Sequence, residues 1–220
     1  MTVTKSPHPT LIMDIITLDQ VAIQWAVSAA DESMARWASS PGHYRNQWTS
    51  HLVGRLGEIA AEQFLLSHGV QVQAHFRFPE RENLCDIELF PAGREPSVRL
   101  DVKTWSEAFW PDLGRCIAVN QLEALNHKAE GILWCIVHES ARRSQAIWQT
   151  QEAVQVSIAG YSTISDVHQA PIRLTGRAGM PQVRNHQIAE QDLRPLDELV
   201  SSPIQLKLEK SKCPNPRSSF

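Results

Sequence analysis

The chain has 220 residues, 42% of them hydrophobic and 20% charged, with a formal net charge of −3. That length suits one well-buried domain with an appendage, and the composition excludes the disordered class. No apolar run approaches the ~20 residues of a membrane span, so no membrane partner is expected, and the acidic balance by itself gives no sign of a phosphate-clamping surface.

In chain order, the opening MTVTKSPHPT carries no apolar h-region, so export is not expected. After a short apolar stretch from Leu11 to Ile16, Asp19 is placed to cap a helix running to about Ser39, with Val21, Ala22, Trp25, Ala29, Met34 and Trp37 near one stripe. Ser39-Ser40-Pro41-Gly42 breaks it, and a second helix runs from Thr49 or Ser50 to Ser67 or His68, with Gly69 as its C′ residue. Three β-type runs follow at Gln71 to Phe78, Leu84 to Phe90 and Val98 to Trp105, separated by Pro79 and Asn83, then by Pro91-Ala92-Gly93 and Pro96-Ser97. A short strand at Cys116 to Val119 leads to a helix capped by Asn120 and ended by Gly131, and Ile132 to His138 reads as a strand buried on both faces. Gln145 to Gln149 and Val154 to Ile158 read as strands, and 170–200 as loop with a short helix near Asp197. From Ser201 the chain has no periodicity and carries Lys207, Lys210, Lys212 and Arg217 against Glu209 alone, which reads as a disordered tail. The expected organisation is an N-terminal helical segment over 1–48, a core over 49–150, an extension packed on it over 151–200 and the tail over 201–220. The fold class is α/β (α+β), a small mixed sheet whose central hairpin is flanked by helices.

Within the third β-type run, Val98, Leu100 and Val102 alternate with Arg99, Asp101 and Lys103, so Asp101 and Lys103 share the polar face. If the preceding loop is symmetric about Gly93 and Arg94, Asp86 stands directly opposite Asp101, with Cβ atoms about 5 Å apart. Two carboxylates that close repel each other unless a cation lies between them. A hard divalent ion such as Mg²⁺ suits that position, because it binds through one or two carboxylates and keeps water ligands. On the second helix, at about 100° per residue, His51, Arg55, Glu58 and Glu62 form a polar stripe opposite Leu52, Val53, Leu56, Ala60 and Phe64. A solvated helix face is the ordinary account of such a stripe. Gly54 and Gly57 flank it and would permit a close neighbour. Cys85, Cys116, Cys135 and Cys213 form no CxxC pair and no zinc-like spacing with histidine, and read as reduced thiols of a cytoplasmic protein.

Helix, three-stranded meander, helix and strand, with Gly57-Glu58, Asp86 and Asp101-Val102-Lys103 in that order, resemble the PD-(D/E)XK nuclease superfamily over about half the chain. Cys85 stands where that superfamily usually has proline. Gln121 is followed four residues on by Leu125, so the QxxxY pattern of the processive exonuclease branch is absent. The resemblance implies a restriction-endonuclease-like core in which Asp86, Asp101 and the Val102 carbonyl hold Mg²⁺, with Mn²⁺ able to substitute. Glu58 would complete the shell, and Glu62 is a secondary candidate one turn away. Lys103 would orient the attacking water, help deprotonate it, or neutralise charge on the phosphorane. Arg55 and Gln121 are candidates for phosphate contact.

Three functions follow as expectations. The first is a metal-dependent DNA endonuclease in a restriction, defence or mobile-element setting. The second is a nuclease acting on single strands, branched DNA or RNA. The third is a catalytically silent member of the fold that binds nucleic acid or assembles. The intact Asp101-Val102-Lys103 argues against the third function, while the modest positive charge argues for it or for a partner subunit that supplies DNA binding; a homodimer is the other partner expectation. Trp105 and Trp110 read as core or rim packing, with base stacking as the functional alternative.

Overall fold

The structure is a computed structural model and describes residues 13–37, 47–78, 84–90, 97–139, 144–176, 181–203 and 206. The breaks expected at residues 39–42 and 91–93 and the segment 207–220 lie outside the described residues. The elements in order are β1 (Asp14–Asp19), α1 (Gln20–Trp37), α2 (Trp48–Ser67), β2 (Gln71–Ala74), β3 (Ile87–Phe90), β4 (Val98–Ser106), α3 (Trp110–Leu113) and β5 (Cys116–Ala118). They continue with α4 (Leu122–Lys128), β6 (Gly131–Val137), α5 (Gln145–Thr150), β7 (Ala153–Thr163), α6 (Ile164–Gln169), β8 (Ile172–Thr175), β9 (Val183–Gln187) and α7 (Leu196–Ser201). The fold is mixed α/β.

A six-stranded sheet runs β1-β7-β6-β4-β3-β2, and a three-stranded sheet runs β5-β9-β8. Strands β2, β3 and β4 form an antiparallel meander, while β4 and β6 pair in parallel. A parallel pair needs a crossover, and residues 107–130, with α3, β5 and α4, supply it. Strand β6 is buried along its whole length. Its Leu133, Cys135 and Val137 enter the core under α1 and α2, and its Ile132, Trp134 and Ile136 enter a second core on the other face. Two buried faces explain why its sequence does not alternate.

Asp19 caps α1 as its sequence position suggests, accepting from the Ala22 N–H at 2.9 Å. Gly69, at φ 73°, follows α2 in the left-handed conformation that glycine adopts without a Cβ penalty. Gly57 marks the closest approach of α2 to the sheet: a Cβ placed there would lie 1.8 Å from Thr104 Oγ1 on β4. Gly54 faces open space, so only one of the two glycines serves close packing.

Several local expectations differ from the structure. The first β-type run stops at Ala74 and turns through a 3₁₀ segment at His75–Arg77. Gln145–Thr150 is a helix, because docking of Trp148 into the main core decides a run too short for periodicity to settle. Residues 14–19, expected only as an apolar stretch, form a strand of the main sheet, and the strand expected at Val154 to Ile158 is present but longer, spanning 153–163 between β1 and β6. The stretch 170–200, expected as loop with one helix, contributes β8 and β9 as well as α7. The expectation of a tail without core packing from Ser201 does not hold at Leu206, which is 3% exposed in the main core and reaches Gly131. Leu206→Ala should therefore lower stability by about 2–4 kcal/mol, measured by urea unfolding, whereas a core ending at Ser201 would leave the midpoint unchanged.

Candidate metal centre and its surroundings

The β3–β4 register sets the site. Ile87 pairs with Leu100, Glu88 with Arg99 and Leu89 with Val98, the frame in which the next pair outward is Asp86 and Asp101. Asp86 sits just before β3, where the ladder opens. Its N–H donates to the Leu100 carbonyl at 3.0 Å, and its carbonyl accepts from the His75 N–H at 2.9 Å. Its side chain replaces the missing ladder bond, with Oδ2 accepting from the Val102 N–H at 2.7 Å. Backbone groups of one residue in an extended strand face the same edge, so the Val102 carbonyl lies on the edge that Asp86 covers.

Asp101 is 1% exposed. Its Oδ2 pairs with Lys103 Nζ, and its Oδ1 accepts from Lys128 Nζ at 3.0 Å. The same Lys128 Nζ donates to Asp86 Oδ1 at 3.1 Å. The two carboxylates thus converge on one cationic point, and the cation there is an ammonium from the last residue of α4. Burial raises the Asp86 pKa, aided by the negative charge of Asp101, and Lys128 and Lys103 offset it only in part. Burial acts in the same direction on Asp101, but Lys103 and Lys128 outweigh it and hold that carboxyl below its ordinary value. Both lysines hold their protons more tightly than usual despite burial, because the aspartates attract them.

Glu58 lies on α2 one residue beyond the close contact at Gly57. It accepts from Arg55 Nη1 at 2.7 Å and lines a cavity of about 180 Å³ together with Asp86, Lys128, Arg55 and His75. Burial pushes its pKa up to about 7; Arg55 opposes the shift and Asp86 adds to it. Arg55 also reaches Ser33 Oγ at 3.2 Å. Glu62 lies away from the aspartates and is bound by Arg77, with Nε to Oε2 at 3.0 Å. Gln121 follows β5 and lines a different cavity. The structure brings together Asp86, Asp101 and Lys103, with Glu58 and Arg55 at the margin; it leaves Glu62 and Gln121 elsewhere.

The donor chemistry fits a divalent ion in part. Two hard carboxylate oxygens converge on one point, and Lys128 Nζ occupies it. Among the described residues, however, no group of three or more His, Cys, Asp or Glu side chains is gathered to hold a metal. Glu58, expected to complete the shell through water or a second ion, accepts a hydrogen bond from Arg55. Sequence reasoning missed Lys128 because a lysine in the last helical turn is ordinary, favoured there by the helix dipole. Among the described residues, Cys85, Cys116 and Cys135 are free thiols. Among the described residues, no helix is long and apolar enough to cross a membrane. Comparison of the chain with protein-family models, with curated proteins and with solved structures gives no match.

The raised Glu58 pKa has a signed consequence. The fold favours protonated Glu58, so its stabilising contribution is complete below about pH 4.5 and is lost as pH rises through about 7. Between pH 5 and 8 the native protein should lose about 1–3 kcal/mol relative to Glu58→Gln, read from paired urea titrations. Parallel curves for the two proteins would show Arg55 holding Glu58 ionised throughout.

Proposed function

We propose that the chain is a metal-dependent phosphodiesterase acting on nucleic acid, built as a PD-(D/E)XK nuclease. The observation that carries this reading is the convergence of Asp86 and Asp101 on a single cation, with Lys103 paired to Asp101 two residues along β4. The order α2, β2-β3-β4, α4 and β6, with β6 parallel to β4, supports a restriction-endonuclease-like core. The site is a pair of acids with a neighbouring lysine on a rigid strand, placed beside a polar cavity.

In this reading Asp86 and Asp101 would hold Mg²⁺ or Mn²⁺, which when bound supplies Lewis acidity and a water of lowered pKa. Lys103 is held protonated by the two aspartates. It therefore serves better as a charge stabiliser for the phosphorane, or as a donor that orients the attacking water, than as a proton acceptor. Glu58, titrating near neutrality, can hold or release a proton at the margin of the site. Arg55 positions Glu58 through their hydrogen bond.

A second reading rests on Lys128. Its ammonium neutralises both aspartates without any metal, as a structural ion cluster in a silent member of the fold would require. The two readings separate on metal affinity. Under the nuclease reading Lys128 competes with the ion, and Lys128→Met should bind Mn²⁺ about tenfold or more tightly than the native chain by calorimetry. Under the silent reading neither protein binds Mn²⁺, and the variant loses stability because two buried acids lose their counter-ion.

The catalytic assignment is tested at Lys103. Its side chain is partly exposed on the face of β4 that carries Asp101, and Asp101 keeps Lys128 as a partner without it. Lys103→Ala should therefore change stability by no more than about 1 kcal/mol. Cleavage of plasmid, linear, single-stranded or branched substrates in Mg²⁺ or Mn²⁺ should fall about a hundredfold or more. Normal cutting by this variant, or native cutting in excess chelator, would sink the assignment.

A further inference from the structure

A second cavity, larger than the one beside Glu58, adjoins the other end of β4. It measures about 410 Å³ and is walled by the N-terminal turns of α2, the end of β4, the segment from Phe109 to Gln121, and β8 and β9. This is the size of a small-molecule site. No Asp, Glu, Lys, Arg or His belongs to its described lining. Polar edges are nevertheless abundant: the amides of Asn120, Gln121 and Asn185 stand beside the aromatic residues Trp105 and Phe109.

Two hydroxyls on the cavity's β4 wall are unsatisfied. Ser106, 4% exposed, and Thr104 each bury a side-chain oxygen that has no hydrogen-bond partner. Buried hydroxyls are nearly always paired, and leaving one unpaired costs about 1–3 kcal/mol. Both oxygens are closed off from the cavity itself, Thr104 Oγ1 lying against Gly57 of α2, so the groups that offer hydrogen bonds to an occupant are the side-chain amides. The position adds the last constraint: Trp105 shares Asp101's face of β4 four residues on, and a strand advances about 3.3 Å per residue. The cavity therefore opens roughly 13 Å along the strand from Asp101.

We propose that this cavity takes one unstacked nucleobase of the strand whose phosphodiester lies at Asp86, Asp101 and Lys103. This rests on the nuclease reading and narrows it. A base inside a duplex keeps its faces stacked and its edge paired, so the substrate is single-stranded or carries an unpaired nucleotide. Aromatic walls supply stacking that tolerates any base, and the side-chain amides meet its edge.

The test uses the full chain with Ca²⁺ in place of Mg²⁺ and fluorescence anisotropy of labelled oligonucleotides. A single strand, and a duplex with one unpaired nucleotide, should each bind about tenfold or more tightly than the intact duplex. One abasic position scanned along the single strand should weaken binding about tenfold at a single register. Ala118→Trp fills the cavity, since Ala118 and Cys116 flank the inward-facing Ile117 on β5; it should abolish that abasic effect. The abasic scan needs no variant, so it decides the matter even if Ala118→Trp fails to fold. Binding and cleavage with no dependence on pairing or abasic position would overturn the cavity assignment and leave the nuclease reading standing. Equal affinity for a free mononucleotide would overturn the strand-borne base. Failure to bind any oligonucleotide would overturn both.

Discussion

Two carboxylates buried against one ammonium are the constraint on which the rest of the molecule depends. Asp101 has almost no exposure to water, and Asp86 is only slightly more accessible. A buried pair of like charges is intolerable without a cation. Lys128 supplies that cation from the end of α4 and so fixes α4 against β4 and the start of β3. A second ion pair secures the same corner. Glu130, two residues beyond Lys128, accepts from the Arg99 backbone N–H at 2.8 Å and from its guanidinium. The turn from α4 into β6 is thereby clamped to β4 before the parallel ladder begins at Leu100 and Gly131.

Around that corner the apolar layers set what is rigid. Strand β6 fills both cores at once, so β4 is held from one side by a strand that cannot shift without opening both faces. On its other side β4 has β3 only as far as Leu100; Asp86 covers Val102, and the cavity lined by Thr104 and Ser106 lies further along. The acidic side chains border open cavities there because pairing stops there. Gly57 brings α2 against Thr104, and that contact delivers Glu58 to the margin of the acids. The small β5-β9-β8 sheet walls the far cavity and gives the chain a surface that the main sheet alone lacks.

The carboxylates carry different burdens. Asp101 is outnumbered by two ammonium groups and stays ionised; Asp86 shares one of them and is held less firmly in its charged form. Environments that push two acids apart in this way are common where one must bind a cation firmly and the other must adjust. The same arrangement is compatible with a permanent ion cluster, since an ammonium and a hard metal ion both answer the same repulsion. Metal affinity, rather than geometry, separates the two.

The sequence by itself determined the local periodicities. Alternation in Val98–Ser106 placed Asp101 with Lys103, the spacing of the hairpin placed Asp86 opposite Asp101, and the amphipathic pattern of α2 placed Glu58 on a polar stripe beside a close-packing glycine. Each is a short-range consequence of strand or helix geometry, so neighbouring residues carry the information. Tertiary structure decided what local pattern cannot encode. It put Lys128 between the acids across 42 positions of sequence, and it bound Glu58 and Glu62 to Arg55 and Arg77. It inserted β7 between β1 and β6 and buried Leu206 in the main core. The reason is physical: burial makes a charge seek whichever counter-charge the fold brings within about 3 Å, and that partner is set by how layers pack, not by the residues beside it in the chain.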